Sequence, residues 1–304
     1  MSHDADEKHG ASMRRRKILA LGAELGLGVA AGSILSSPVL AQTPSTPQEQ
    51  ASPARPRRDQ GKGRIFITGS SGGLGYAAAK TLLAEGYGVV VHVRSGARRA
   101  AVADLAGQGA IVTIGDLSDA GETRNLADQV NKIGQIDAVI HNAGVASGPQ
   151  VLVVNVVAPY LLTALIQGPR RLIYLSSGMH TGGRANLAGM DWTGQRVTGS
   201  YSDSKLFVTA LCAAVARRRP EVFSNAVNPG WVPTRMGGPN APDDLRLGHL
   251  TQEWLATSDA PEALTSGGYW YHQRRVEPHP AVHDTDFQNR LLAELARATD
   301  TPLA

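Results

Sequence analysis

The chain has 304 residues, 42% hydrophobic and 18% charged, enough to bury a substantial core even after a leader is set aside. Most of its net charge of +4 sits at the start: residues 1–62 carry 9 of the 30 Lys/Arg and 6 of the 26 Asp/Glu, leaving 21 against 20 for the rest. That balance leaves no global case for nucleic acid, and a single cysteine, Cys212, excludes an intramolecular disulfide and any Cys-based zinc site.

Residues 1–41 read as an export signal. Arg14-Arg15-Arg16-Lys17 precedes a Gly/Ala-rich apolar stretch that runs to Leu35, and Val39-Leu40-Ala41 offers the compact residues a signal peptidase needs before Gln42. The arginine pair followed by Lys17-Ile18-Leu19 resembles a twin-arginine signal, a route that exports folded proteins. Glu24 and the glycines make the stretch a poor bilayer span. The expectation is a periplasmic or otherwise exported protein that meets the membrane only in transit, with a membrane anchor or a cytoplasmic extension as alternatives. Residues 42–62, rich in Pro, Ser, Gln and Arg, read as a flexible linker, and 63–304 as one domain.

Along that domain, apolar runs at 64–68, 88–93, 110–114, 137–141, 171–176, 223–228 and 268–270 predict strands. Between and after them, 73–85, 97–107, 121–133, 151–167, 201–218, 243–257 and 286–298 predict helices. The alternation implies an α/β fold with a doubly wound parallel sheet of Rossmann type, about seven strands wide. Runs such as Val89-Val90-Val91 suit strands buried on both faces.

The first strand leads into Thr68-Gly69-Ser70-Ser71-Gly72-Gly73-Leu74-Gly75. Gly69 permits the tight turn, Gly73 lets the backbone approach a pyrophosphate, and Gly75 lets the helix pack near the sheet, while free amides at the helix start attract the anion. A dinucleotide site is therefore expected here. Ligands of such sheets bind beyond the carboxyl ends of the strands, where the sequence places Ser70 and Ser71, Arg94, Asp116, Asn142, Ser177 and Asn228. An acidic residue ending the second strand would bind a ribose diol. Instead Arg94 stands there, with Arg98 and Arg99 just beyond, and can pair bidentately with a 2′-phosphate, which favours NADP over NAD.

Tyr201-Ser202-Asp203-Ser204-Lys205 sets a phenol and an ammonium one helical turn apart on the same face. A nearby cation favours phenolate and moves tyrosine towards general acid/base use. Ser177, ending the fifth strand, would reach the same mouth. His180, three residues on, is either a substrate contact or a structural loop histidine, the latter preferred. Met190, Trp192, Trp231 and Met236 lie in segments near the mouth as pocket wall or as core, so an apolar or aromatic substrate is expected. No metal cluster is expected.

From about residue 63 to 271 the chain resembles the short-chain dehydrogenase/reductase family in its one-domain form. The matching residues are the Thr68–Gly75 turn, Asp116-Leu117, Asn142-Ala143-Gly144, Asn155, Ser177, Tyr201-x-x-x-Lys205, and Asn228-Pro229-Gly230 with Thr234, in the right order. Ser176-Ser177-Gly178-Met179-His180 and Ser266-Gly267-Gly268-Tyr269-Trp270 look most like the retinol-dehydrogenase-like branch. The resemblance implies hydride transfer between a nicotinamide and an alcohol or carbonyl, with Tyr201 as general acid/base. Lys205 would depress the tyrosine pKa and hold the nicotinamide ribose, Ser177 would orient the substrate oxygen, and Asn155 would support a proton-relaying water. Asp116 would bind the adenine amino group, Asn142, Ala143 and Gly144 would line the adenine-ribose side, and Pro229, Gly230 and Thr234 would border the nicotinamide. Oligomers are usual in the family, so a homo-oligomer is possible. Two departures stand out: His141 replaces a first asparagine, and only ten residues separate Gly144 from Asn155, which trims the substrate-side wall. Competing readings are a nucleotide-sugar epimerase or dehydratase on the same fold, and a catalytically silent dinucleotide-binding redox sensor.

Overall fold

Eight strands form one sheet in the order β3-β2-β1-β4-β5-β6-β7-β8. The computed structural model describes residues 62–303, which fall within a single unit, Arg57–Ala304; the expected export signal and all but the last residue of the expected linker lie outside the described residues. Strands β1 (Lys62–Ile67), β2 (Tyr87–Val93), β3 (Ile111–Ile114), β4 (Ala138–His141), β5 (Arg171–Leu175), β6 (Phe223–Asn228) and β7 (Tyr269–Tyr271) are parallel throughout. The order reverses between β1 and β4, the crevice where doubly wound sheets bind ligands.

Successive side chains of a strand point to opposite faces, and here both faces are dry. Phe66, Val90, Val139, Leu172 and Tyr174 pack under α3 (Ala120–Ile133), α4 (Ala158–Leu165), α5 (Tyr201–Arg218) and α7 (Thr285–Thr299). On the other face Ile65, Ile67, Val89, Val91, Ile140 and Ile173 pack under α1 (Gly73–Ala84), α2 (Ala103–Gly107) and α6 (Leu245–Thr257). No helix among the described residues is long and apolar enough to cross a membrane.

Three segments depart from the sequence expectation. The stretch expected as one helix over 97–107 is a 3-10 turn, Gly96–Val102, followed by the five-residue α2. Its buried residues Val102 and Leu105 are three apart, the spacing that a 3-10 turn places on one face. The helix expected over 151–167 is broken by a π-helical turn, Val153–Val157, ahead of α4. Pro159 explains part of this: it has no N–H to give to the Asn155 carbonyl four residues earlier, so regular α-helical bonding cannot run through. An eighth strand, β8 (Arg274–Arg275), pairs antiparallel with β7. The two residues between them, His272 and Gln273, take left-handed φ of 48° and 61°, a hairpin turn normally announced by Asn or Gly.

Candidate active site

The turn after β1 is shaped by contacts that a side chain would destroy. Gly69 has φ +69°, and a Cβ there would come within 2.9 Å of the Ala143 Cα. A Cβ on Gly75 would overlap the Asn142 side-chain amide. Asn142 Nδ2 donates to the Thr68 carbonyl at 2.8 Å, and the Ala143 N–H donates to Thr68 Oγ1 at 3.0 Å, so the ends of β1 and β4 are stitched together. Thr68 and Asn142 thus build the turn from below. Ser71 and Leu74 are half-buried and Gly73 is exposed, while Gly72 caps α1 with no side-chain hydrogen bond, leaving the first-turn amides unclaimed by any cap. Uncapped amides at the start of a 12-residue helix suit a phosphate group.

Sequence reasoning missed His92, buried on β2. The Gly69 N–H donates to its Nδ1 at 3.0 Å, so Nε2 carries the proton and donates to the Gly115 carbonyl at 2.7 Å. Burial holds its pKa below the ordinary histidine value, keeping the ring in this neutral tautomer. The side chain ties the glycine turn to the end of β3; only the folded sheet brings these positions together.

Arg94 leaves the end of β2 with 76% of its side chain exposed, and its Nε donates to Asp116 Oδ2 at 2.8 Å. The other Asp116 oxygen accepts from the Ser118 N–H and Oγ at 2.9 and 2.6 Å. Asp116 thus holds Arg94 in place at the strand ends, the position where the grip on an adenine amino group is expected. Leu117 buries its side chain in the core, which leaves its backbone to line a ligand.

The catalytic candidates meet across α5, β5 and the π turn. Ser200 caps α5 by accepting the Asp203 N–H at 3.1 Å, while Asp203 accepts the Ser200 N–H at 2.9 Å, so Tyr201 starts the helix in a fixed orientation. Lys205, one turn on, is buried and donates from Nζ to the Leu175 carbonyl at 2.7 Å. It lies 5.5 Å from the Tyr201 ring centroid, and burial pushes its pKa down to about 8. Tyr201 itself stands above the ordinary tyrosine value, raised by burial, while a hydrogen bond with Ser177 pulls the other way. The net direction in this structure is set by burial and is opposite to the depression expected from Lys205. Ser177 Oγ accepts the Met179 N–H at 3.2 Å and is hydrogen-bonded to Tyr201, so the hydroxyl stands beside the phenol.

Asn155 sits in the π turn, buried beside the end of β4. Its Oδ1 accepts the Val145 N–H at 2.9 Å, and its Nδ2 donates to the Val145 carbonyl and to Ser204 Oγ at 3.0 and 2.9 Å. A Cβ on Gly144 would lie 3.3 Å from Asn155 Oδ1 and 3.5 Å from Lys205 Nζ, so these three meet at one point.

After β6, Asn228 Oδ1 accepts the Gly230 N–H at 3.0 Å, and Asp243 accepts the Trp231 N–H at 2.6 Å. The loop between them reaches both halves of the site. A Cβ on Gly73 would meet the Thr234 methyl at 3.3 Å, and the Tyr201 hydroxyl donates to the Met236 sulfur at 3.9 Å. The phosphate turn, Thr234, Met236 and the phenol are thereby adjacent, with Pro229 and Gly230 leading in. Of the four apolar residues in question, Trp231 and Met236 are exposed at this loop, whereas Trp192 is buried against Phe207 and Met190 packs on the core. His141 is not a site residue either: it is buried, stacked on Tyr174 with centroids 4.6 Å apart, and burial lowers its pKa to about 3.

Comparison with known proteins shows the family. The family model described as short chain dehydrogenase matches residues 64–166. An uncharacterized oxidoreductase of Emericella nidulans is 37% identical over 248 residues, covering 75% of this chain and 94% of that protein. The chain belongs to the short-chain dehydrogenase/reductase family. A short-chain dehydrogenase of Gibberella zeae is 35% identical over 254 residues, covering 79% of this chain and 98% of that protein. A short chain dehydrogenase from Burkholderia cenocepacia, solved in complex with NADP, shares the fold with a TM-score of 0.58 at 21% identity, covering 69% of this chain and 96% of that one. As a family member the protein is an NAD(P)-dependent oxidoreductase of CH–OH or C=O groups.

Proposed function

We propose that this short-chain dehydrogenase/reductase is an NADP-preferring enzyme that interconverts an apolar alcohol and its carbonyl, with Tyr201 as the general acid/base. The observation that carries the reading is the convergence of Ser177, Tyr201 and Lys205 beside the loop whose Thr234 touches the glycine turn. The uncapped amides of Gly73, Leu74 and Gly75, together with Arg94, suit the phosphates of the dinucleotide. Thr68, Gly69 and Ser71 shape that seat, Ala143 and Gly144 line its ribose side, and Pro229, Gly230 and Thr234 border the nicotinamide. When bound, the nicotinamide supplies or accepts the hydride. In reduction, Tyr201 gives its Oη proton to the substrate oxygen that Ser177 orients; in oxidation it takes that proton back. The Lys205 ammonium holds the nicotinamide ribose and favours the phenolate. The Asn155 carbonyl, which Pro159 cannot bond, supports a water that returns protons to Lys205.

Substrate class is read from the mouth. Met179 is 57% exposed, Val197 70%, Trp231 60% and Met236 49%, and all four stand on the loops around Ser177 and Tyr201. Large apolar groups left in water beside a catalytic pair suit a broad apolar or aromatic substrate. The test is a panel of aromatic and aliphatic carbonyls with NADPH absorbance as readout. Tyr201→Phe is expected to lower turnover by about 1,000-fold or more while leaving NADPH affinity within about twofold. A Phe variant that turns over like the wild type overturns the reading, and so does a wild type that consumes no NADPH with any carbonyl.

We further propose that the enzyme is exported folded, with its dinucleotide already bound. Intact-mass measurement of the native protein checks this: a chain starting at Gln42 supports it, and a purified protein retaining its first 41 residues counts against it.

A further inference from the structure

Ser177 sets its hydroxyl beside Tyr201, while its carbonyl accepts three hydrogen bonds, one from the His180 backbone N–H at 3.0 Å and two from side chains. Tyr269 at the start of β7 donates its Oη hydrogen to this carbonyl at 3.0 Å, and His180 Nδ1 donates to it at 2.8 Å. The two rings pack against each other with centroids 4.4 Å apart. The His180 tautomer follows from the far side of the ring, because Nε2 accepts the His279 N–H at 3.0 Å and the proton must then sit on Nδ1. His279 is oriented in turn: its Nδ1 accepts the Ala281 N–H at 3.0 Å. A catalytic serine is thus anchored to a strand edge and to a segment about a hundred residues away, through groups that never reach the reaction.

We propose that His180 and Tyr269 are positioning residues that clamp the Ser177 carbonyl and so aim its hydroxyl at the substrate oxygen, and that the clamp closes only with His180 neutral. The proposal rests on the reading of Ser177 and Tyr201 as catalytic. A serine hydroxyl is directed by its backbone, since one χ angle separates them, and a carbonyl bonded from two directions cannot rotate. Protonation of His180 would turn Nε2 into a donor facing the donor N–H of His279, and the bond holding the ring in place would be lost. Burial keeps the His180 pKa below the ordinary 6.5.

The surroundings narrow what else can titrate in acid. Facing this ring are Tyr269 from β7 and His279 from the segment ahead of α7, with Glu277 and His283 paired on the same segment at 2.9 Å. Packed against its turn, α5 brings Tyr201, Lys205 and Asp203, the last paired with Arg184 at 3.3 Å. Burial raises both tyrosines, so they stay neutral in acid, and Asp203 is held below the usual carboxylate range, so it stays charged. Lys205 keeps its proton below about 8. With these groups fixed, an acid limb would report the protonation of His180, which burial holds below the ordinary histidine value.

The test uses the full-length enzyme and two variants, Tyr269→Phe and His180→Asn. The Phe variant keeps the ring packing and removes one donor; the Asn variant cannot ionise. Melting curves confirm that each is folded. Expected for Tyr269→Phe is a fall in kcat of about tenfold with KM for NADPH unchanged, the cost of one hydrogen bond to an aligned group. Expected for His180→Asn is a lower kcat together with loss of the acid limb expected of the wild type as His180 takes up its proton. Imidazole nitrogen NMR of the wild type, without substrate, should show His180 as the Nδ1–H tautomer, and its pKa should rise in Tyr269→Phe. Unchanged kcat in folded Tyr269→Phe, an acid limb that persists in His180→Asn, or an Nε2–H tautomer would each overturn the proposal. Because NMR needs no turnover, a wild type inactive on every carbonyl would sink the catalytic reading while the tautomer still decides the clamp.

Discussion

Lys205 shows at the scale of one residue how function and stability diverge. Its ammonium is buried with a single carbonyl partner, and its pKa falls to about 8 from 10.5. Between those values the unfolded chain binds the proton that the folded chain has released, so stability rises with pH through that window. Below about 8 the full cost of the buried charge is present. Lys205→Met is therefore expected to raise stability by about 1–2 kcal/mol at pH 7, the gain being reduced by the donor lost to Leu175, while turnover collapses. Melting curves at pH 7 and pH 10 check the sign, since the advantage of the Met variant should shrink as pH rises. Arg94 carries the second prediction at this scale. Its Nε is held by Asp116 and most of the side chain stays open, so Arg94→Ala should weaken NADP binding by about 10–100-fold and leave NAD nearly unaffected. A fluorescence titration with both dinucleotides reads this directly.

At the scale of elements, the loop ahead of α5 decides where Tyr201 begins. Asp191 organises it: one carboxylate oxygen accepts the Thr193 N–H and Oγ1 at 3.0 and 2.6 Å, the other the Gln195 and Arg196 N–H groups at 2.9 and 2.7 Å. The Thr193 hydroxyl bond is the largest cause of a pKa lowered to about 2 from 3.8, with the backbone bonds adding to it against burial. A depressed carboxyl stabilises the fold above its unfolded value, and that contribution is lost as pH falls through the folded one. Asp191→Asn should cost about 1.5–3 kcal/mol at pH 7, and the gap between variant and wild type should close as pH falls from about 4 to about 2. Urea midpoints across that range measure it. The expected helices and strands were legible because hydrophobic periodicity and glycine stops are local signals. The π turn at Val153–Val157 and the left-handed pair His272-Gln273 were not: the pair has no Gly or Asn to announce it, and the π turn depends on hydrogen bonding around Pro159 that no hydrophobic period marks.

For the whole molecule, α7 closes the outer face of α5. Phe287 is fully buried, with its ring centroid 5.9 Å from that of Phe207, which in turn lies 6.0 Å from Trp192. The final residues lock down as well, with the Tyr160 hydroxyl donating to the Thr301 carbonyl at 2.7 Å. Phe287→Ala should cost about 3–5 kcal/mol and lower the melting temperature by about 10 °C, with kcat below the transition largely kept, because the cavity lies under the helix and not at the mouth. Calorimetry beside steady-state kinetics separates the two effects.

By itself the sequence determined the doubly wound sheet and the family, because glycine spacing, strand-end polar residues and the Tyr201/Lys205 turn are patterns within short windows. It also marked Arg94 as a cation where the second strand ends. Only the tertiary structure decided what surrounds those residues: that Asp116 holds Arg94, that His92 braces the glycine turn, and that His180 and Tyr269 meet on one carbonyl. Those partners lie 22 to 92 residues apart. Hydrogen bonds between such distant positions have no signature in local composition, since they exist only once the sheet has set the register of its strand ends.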